Sequence, residues 1–287
     1  MEFTKYDKIN VGDEYDNTRN IVGENIFKKY LNFPKKDNIL EIGCGTGNYL
    51  KFVDNFKKDT KIVGYDQSTM MLKKCSEKFK QVHNWTNIDA LHFISENNNS
   101  VSLHNTKISK VHPTNDYIFD LVYSYQVLHH LGGKSGVDDL FQYINHSVSS
   151  GTHLIINWVT PEQVLSYWYL QLLPRRIIDI FIEKTIDLTN LSKLAEENGW
   201  IFQEVNIHNN EKETLQEYSK YTNPYSVLQS DFRTGDSCWS LLSDEELNVF
   251  IDYIKKLDDT SLNNLFRVAD IHRKAFGQST TIVFEKK

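Results

Sequence analysis

Cysteine is scarce: Cys44, Cys75 and Cys238 are the only three in 287 residues. An odd count at wide spacings offers neither a disulfide framework nor a zinc-ligand pattern, so no metal is expected. The scarcity also favours a reducing compartment. Excess positive charge is missing too. The net charge is −6 and the pI is near 5.9, whereas a general nucleic-acid binder needs a basic face. No run approaches the ~18 apolar residues that span a bilayer. The most apolar stretch, Val164 to Ile182, is broken by Pro174, Arg175, Arg176 and Asp179. The opening MEFTKYDKINVGDEYD lacks the apolar core of a signal peptide. No internal repeat is visible. The expectation is a soluble cytoplasmic protein with no transmembrane segment and no nucleic-acid partner.

What is present is a globular composition, with 40% hydrophobic and 24% charged residues. Aromatics at 13% argue for a sizeable core. At about 150 residues per domain the length suggests roughly two domains, and one domain with a large insertion fits equally. The first half alternates short apolar runs with helix-length segments, the rhythm of βαβ units around a parallel sheet. Strands are expected at 38–42 (NILEI), 61–66 (KIVGYD), 82–88, 118–125 and 152–159 (THLIINWV). Helices are expected at 46–56, after the cap Ser68, and at 137–148. Residues 95–116 are polar and rich in Asn and Ser, and read as a surface insertion. Beyond Pro161 the chain turns helical and aromatic over 161–199, then gives a strand at 200–207 (WIFQEVNI) and more helices over 208–278. Ser243 with Glu246 is a capping-box signature. A last strand is expected at 280–285.

The most informative segment is ILEIGCGTGNYL, residues 39–50. A strand runs into Gly43, Gly45 and Gly47, and a helix follows. Glycines there permit positive φ and close approach of a ligand to the backbone, and the helix N-terminus offers free N–H groups. Asp66 closes the second strand, where a carboxylate can accept both hydroxyls of a ribose. The dinucleotide fingerprint G-x-G-x-x-G is not met: Asn48 or Leu50 stands where the third glycine would be. Glu41, two residues before the turn, suits a cationic ligand better than a pyrophosphate.

Together with VGYDQSTMML at 63–72, NIDAL at 87–91 and FDLVYSYQVLHHL at 119–131, this segment resembles the class I S-adenosylmethionine-dependent methyltransferases of small-molecule type. The resemblance implies an α/β, Rossmann-like, seven-stranded mostly parallel sheet, with helices on both faces and the last strand antiparallel. It implies S-adenosyl-L-methionine as cofactor and S-adenosyl-L-homocysteine as product. By the same resemblance Glu41, Gly43, Cys44, Gly45 and Gly47 line the methionine part, and Asp66 holds the ribose. Gln67 and Met71 flank the adenine, Asp89 reaches its amino group with Ala90 beside it, and Tyr125 and Gln126 lie near the methyl. An N-terminal arm, DEYDNTR, places Tyr15 and Arg19 over the cofactor carboxylate.

The chain then divides into an arm at 1–37, a cofactor-binding core at 38–160, and a 161–287 part of helical cap insertions plus the last two strands. The expected reaction moves a methyl group to an O, N or other nucleophile of a small organic acceptor by in-line displacement. His129 and His130 follow the fourth expected strand, on the edge where open α/β sheets bind ligands. Either can take a proton from an O–H or N–H acceptor near neutral pH, and either can equally cap or pack the turn. Trp168 in the aromatic block, and Arg233 and Trp239 in FRTGDSCWSLLSDEE, can meet a substrate or simply fill core and loop. Cys44 reads as a small filler. A protein methyltransferase, a non-catalytic cofactor-binding regulator and a nicotinamide oxidoreductase are the competing functions, the last opposed by the glycine spacing. The acceptor and the oligomeric state are not legible.

Overall fold

Parallel strands buried on both faces need near-continuous apolar runs, and NILEI and FDLVYSY supply them. The computed structural model describes residues 19–34, 37–57, 60–66, 68–80 and 118–287. In it β1 (Asn38–Ile42) lies between β2 (Lys61–Tyr65) and β3 (Phe119–Tyr125), parallel to both. β4 (Val148–Trp158) continues the sheet parallel to β3. β6 (Ser279–Lys286) runs antiparallel between β4 and the edge strand β5 (Trp200–His208). The order is β2-β1-β3-β4-β6-β5. Six strands stand among the described residues, against seven expected. The remaining expected strand, 82–88, and the insertion at 95–116 lie outside the described residues.

The period-2 alternation sorts side chains onto two faces. Leu40, Ile42, Val122, Leu154, Ile156 and Ile282 pack under α4 (Lys134–Asn145) and α6 (Leu188–Glu197). On the opposite face Ile39, Leu121, Tyr123, Ile155 and Val283 meet α1 (Glu24–Leu31), α2 (Asn48–Phe56) and α3 (Thr69–Lys80). In α4, Val137, Leu140, Phe141 and Ile144 are buried at the spacing of one helical face.

A further core is purely helical. It joins 3₁₀ turns at 161–172, α5 (Arg175–Lys184), several single helical turns between 211 and 241, α7 (Asp244–Lys256) and α8 (Asp259–Phe276). The Ser243–Glu246 capping box is formed, and Asp258 caps α8 through the Ser261 amide at 2.7 Å. The expected 161–199 helical block splits between two places. Its first part joins this helical core, while α6 turns Leu191, Leu194 and Ala195 onto the sheet, because their spacing makes one apolar stripe. Both helical segments leave from strand ends at one edge. Trp158 ends β4 opposite Thr280, and His208 ends β5 opposite Ser279. The helical core therefore joins the sheet at the carboxyl ends of its parallel strands.

Candidate functional site

Gly43, Gly45 and Gly47 adopt φ of 75°, 51° and 83°, a region that other residues enter at a cost. The turn is bound from both sides. The Tyr65 carbonyl accepts the Gly43 and Cys44 amides at 2.7 and 2.9 Å, and the Cys44 carbonyl accepts Gly47 N–H at 2.8 Å. A Cβ on Gly43 would meet Val127 Cγ2 at 2.2 Å, whereas one on Gly45 would meet nothing within 4 Å. The turn is thus packed tightly from the β3 side at Gly43 and left open at Gly45. Asp66, at the end of β2, spans the two loops: Oδ2 accepts Gly45 N–H and Oδ1 accepts Ser68 N–H, both at 2.8 Å. Ser68 caps α3 through the Met71 amide at 3.3 Å, and Met71 itself is buried.

Glu41 lies under the turn, 2% exposed. Tyr123 O–H donates to its Oε2 at 3.0 Å, and the Leu50 amide, in the first turn of α2, also donates to it. Burial pushes the Glu41 carboxyl well above its ordinary range, against the Tyr123 bond. Cys44 and Cys75 are free and buried beside one another on this face. Above Glu41, Tyr125 stacks on Tyr49 at 3.9 Å between centroids. The Tyr125 hydroxyl is buried with no hydrogen-bond partner among the described residues, and burial raises its pKa far above the usual phenol. Sequence reasoning missed Tyr49 and Tyr123. The alternation Tyr123-Ser124-Tyr125 was the available signal, since it places two phenols on one face.

Gln126 directly follows β3, and its Nε2 donates to Asn157 Oδ1 at 2.7 Å. A 3₁₀ turn, Leu128–His130, follows. The His129 and His130 rings stand 4.0 Å apart. His129 is partly buried, and its pKa is pushed down to about 4, chiefly by burial and then by the cations Arg19 and Lys184. It is neutral near pH 7, with a ring lone pair available. Arg19 pairs with Gln216 in an isolated antiparallel bridge, and its guanidinium donates to the Gly235 carbonyl. Gln216 Nε2 donates to Tyr169 O–H at 2.8 Å, and Tyr169 donates to Asp236 at 2.6 Å. Trp239 stacks on Tyr169 at 5.3 Å, and its indole N–H is buried without a partner among the described residues.

The structure therefore gathers two groups of the expected residues. Glu41, the three glycines, Cys44, Asp66 and Met71 surround the turn, with Tyr125 and Gln126 at the neighbouring strand end. Arg19, His129 and His130 lie beside the helical core, and Trp239 is a buried part of it. Trp168 stands apart: it is fully buried, donates its N–H to the Tyr221 carbonyl at 3.2 Å, and fills the helical core. Arg233 donates to the Val227 carbonyl at 2.7 Å and so braces its own loop. Tyr15, Gln67, Asp89 and Ala90 lie outside the described residues. Among the described residues no His, Cys, Asp and Glu cluster could hold a metal, and no helix is long and apolar enough to cross a membrane.

Residues 40–154 match the family model of a methyltransferase domain. A stretch of 62 residues is 39% identical to the carboxy-S-adenosyl-L-methionine synthase of Helicobacter pylori, covering 21% of this chain and 24% of that protein. The chain thus spans about a quarter of the length of the curated relative it matches. Among solved structures, it is similar to a protein described as a methyltransferase from an antibiotic biosynthesis pathway of Anabaena variabilis, with TM-score 0.62 and 15% identity over 92% of this chain and 96% of that one. It is also similar to the cyclopropane synthase MmaA2 of Mycobacterium tuberculosis, with TM-score 0.54 and 12% identity over 91% and 82%. At these identities the likeness is one of fold.

Proposed function

We propose that this chain, whose residues 40–154 match a methyltransferase-domain family model, is a class I S-adenosylmethionine-dependent methyltransferase that moves a methyl group to an O, N or other nucleophile of a small organic molecule. The observation that carries the reading is the glycine turn: open above Gly45, closed below by Val127, and spanned by Asp66. The residues fit S-adenosyl-L-methionine. A turn without side chains admits a ligand to its backbone, Asp66 offers a carboxylate to ribose hydroxyls, and the Tyr125 hydroxyl awaits a partner.

Bound there, the cofactor supplies a sulfonium-activated methyl for in-line displacement, and S-adenosyl-L-homocysteine remains. The protein's share is alignment and exclusion of water. Glu41, Gly43, Cys44, Gly45 and Gly47 would hold the methionine part, with Met71, Gln67, Asp89 and Ala90 about the adenine. Tyr15 and Arg19 would cover it from the N-terminal side. An acceptor that is a carboxylate or tertiary amine needs no base. A hydroxyl or protonated amine would pass its proton to His129 or His130, and the depressed pKa of His129 keeps it in the accepting form. The helical core, joined to the strand ends, would form the acceptor pocket with Trp239 and the Arg19–Gln216–Tyr169–Asp236 cluster. Three cysteines outside any disulfide fit a reducing cytoplasm, and the acidic balance fits a small-molecule partner better than nucleic acid.

The test is calorimetric titration with S-adenosylmethionine, S-adenosylhomocysteine and NAD in parallel. Micromolar binding of the first two, lost in Asp66→Ala, is the expected result. Preference for NAD, or no binding of the sulfur ligands, would refute the reading.

A further inference from the structure

A row of fully buried polar side chains crosses the sheet at the edge just described. Asn157 on β4, Thr281 on β6 and His208 on β5 are each at most 1% exposed. Gln126 Nε2 donates to Asn157 Oδ1 at 2.7 Å, and Asn157 Nδ2 donates to Thr281 Oγ1 at 2.9 Å and to Ser279 Oγ at 3.3 Å. His208 Nε2 lies 2.7 Å from Thr281 Oγ1. His208 Nδ1 lies 3.3 Å from Glu213 Oε1 and 3.4 Å from Asn206 Nδ2. Gly23 closes the row from the start of α1, since a Cβ there would stand 3.0 Å from Thr281 Oγ1 and 3.3 Å from His208 Cε1.

One end sets the direction of every bond. The Glu213 carboxylate at 3.3 Å only accepts, and its charge outweighs the Asn206 amide at 3.4 Å, which could only donate, so the hydrogen of His208 is assigned to Nδ1. Nε2 then offers a lone pair, Thr281 donates its hydroxyl hydrogen there, and Oγ1 accepts from Asn157 Nδ2. Asn157 Oδ1 is left to accept from Gln126. With its nitrogen committed inward, the Gln126 carboxamide turns Oε1 the other way. Gln126 is partly exposed and has φ 59°, the one positive value outside glycine among the described residues, a conformation held by its surroundings. Its neighbour Val127 packs on Gly43.

We propose that this chain of hydrogen bonds makes Gln126 a specificity-determining residue, holding Oε1 toward the methyl acceptor, and that the acceptor is a primary or secondary amine. Asn157, Thr281 and His208 are positioning residues. The proposal rests on the methyl-transfer reading. The amine lone pair forms the N–C bond as the C–S bond breaks and sulfur keeps its electron pair. The nitrogen becomes positive, and its N–H donates more strongly to Oε1 in the transition state than before it. The surplus proton then leaves to His129, His130 or water. A carboxylate or tertiary amine has no hydrogen for Oε1, and a hydroxyl has only one, which it must give to the base and so cannot keep on Oε1.

The experiment uses the full chain loaded with S-adenosylhomocysteine. Long-range proton–nitrogen NMR should find His208 as the Nδ1–H tautomer at pH 7. Thr281→Val should shift the Gln126 side-chain amide resonance and Thr281→Ser should leave it in place, both variants binding S-adenosylhomocysteine like the parent. Transfer of labelled methyl is then compared for benzylamine and N-methylbenzylamine against N,N-dimethylbenzylamine and phenylacetate. Transfer to the first two only is expected, with kcat/KM down about tenfold in Thr281→Val, the factor for one hydrogen bond, and restored in Thr281→Ser. An Nε2–H tautomer, an unmoved Gln126 amide, or transfer to the two probes lacking N–H would overturn the proposal. Failure of the parent to bind S-adenosylhomocysteine would remove the methyl-transfer reading instead, and the tautomer and amide shifts would still decide the relay.

Discussion

Replacing Gly43 with alanine isolates the packing that shapes the glycine turn. Two costs follow from the structure. At φ 75° an L-residue in the left-handed region loses about 1–2 kcal/mol. The new Cβ would also fall 2.2 Å from Val127 Cγ2, an overlap that forces both backbones apart at about 1–3 kcal/mol. The sum, about 2–5 kcal/mol, is a large share of the 5–15 kcal/mol that holds a domain. Val127→Ala alone should cost about 1–3 kcal/mol for the lost burial of its methyls. In the double variant the 2.2 Å overlap is gone, leaving a tight Cβ–Cβ approach of 3.3 Å and the backbone term, so the two changes should fall short of additivity by about 1–3 kcal/mol. Urea unfolding of the four proteins without ligand measures this directly. Strict additivity would mean that Val127 does not press on the turn, and the argument for a turn closed on that side would fail. Gly45→Ala is the control. Nothing lies within 4 Å of its Cβ, so it should lose only the backbone term, about 1–2 kcal/mol, while weakening S-adenosylhomocysteine binding at least tenfold by filling the ligand's side.

Three further outcomes follow. The raised Glu41 pKa means that the folded state holds a proton the unfolded chain releases above its ordinary range, so this contribution to stability is present at acid pH and is lost as pH rises through the folded value. Glu41→Gln should flatten that decline in urea midpoints measured from pH 4 to 8, and an unchanged slope would put the charge elsewhere. For His129 the sign is opposite. A pKa lowered to about 4 leaves the folded state short of a proton between pH 4 and 6.5, so stability is lost as pH falls through that window, and His129→Gln should remove the loss. Tyr125→Phe deletes a buried hydroxyl without a partner. The unliganded protein should gain up to about 1 kcal/mol in thermal or urea unfolding while S-adenosylhomocysteine binding weakens, and a loss of stability would show that the hydroxyl already has a partner.

The sheet was legible because its strands are short, apolar and punctuated by glycine. NILEI, KIVGY and FDLVYSY came out within a residue of their observed limits, since two-sided burial leaves no room for polar side chains. The glycine turn and Asp66 were legible for a related reason: backbone conformations with φ near +75° write themselves as glycine. β4 was less so. Its first residues, Val148 to Gly151, are partly or fully exposed, so Val148 reads as the end of a helix and the next three residues as part of no strand. The expected substrate contact at Trp168 illustrates a different limit. An aromatic block at 167–170 reads the same whether it lines a pocket or fills a core, and only the third dimension shows the Trp168 N–H spent on Tyr221.

Asn157 marks where sequence reading stopped short on the site. A single amide inside THLIINWV breaks an apolar run, and a buried amide must find partners for both its oxygen and its nitrogen. Gln126 and Thr281 are those partners, one just past β3 and the other on β6. Nothing in residues 152–159 announces a glutamine just past β3 or a threonine more than a hundred residues later, because the pairing of β4 with β3 and β6 creates the contact. The cofactor half of the site is local: one turn and one strand end, hence a motif. The proposed acceptor half would draw on Arg19, Gln126, His129, Gln216 and Asp236, which approach each other only through the fold. Chemistry shared by a large family can sit in a local motif, whereas the choice of acceptor is built from long-range contacts that also stabilise the protein. Substitutions in the second set should therefore move stability and acceptor preference together, and substitutions confined to the open face of the glycine turn should move cofactor affinity with no more than the backbone term in stability.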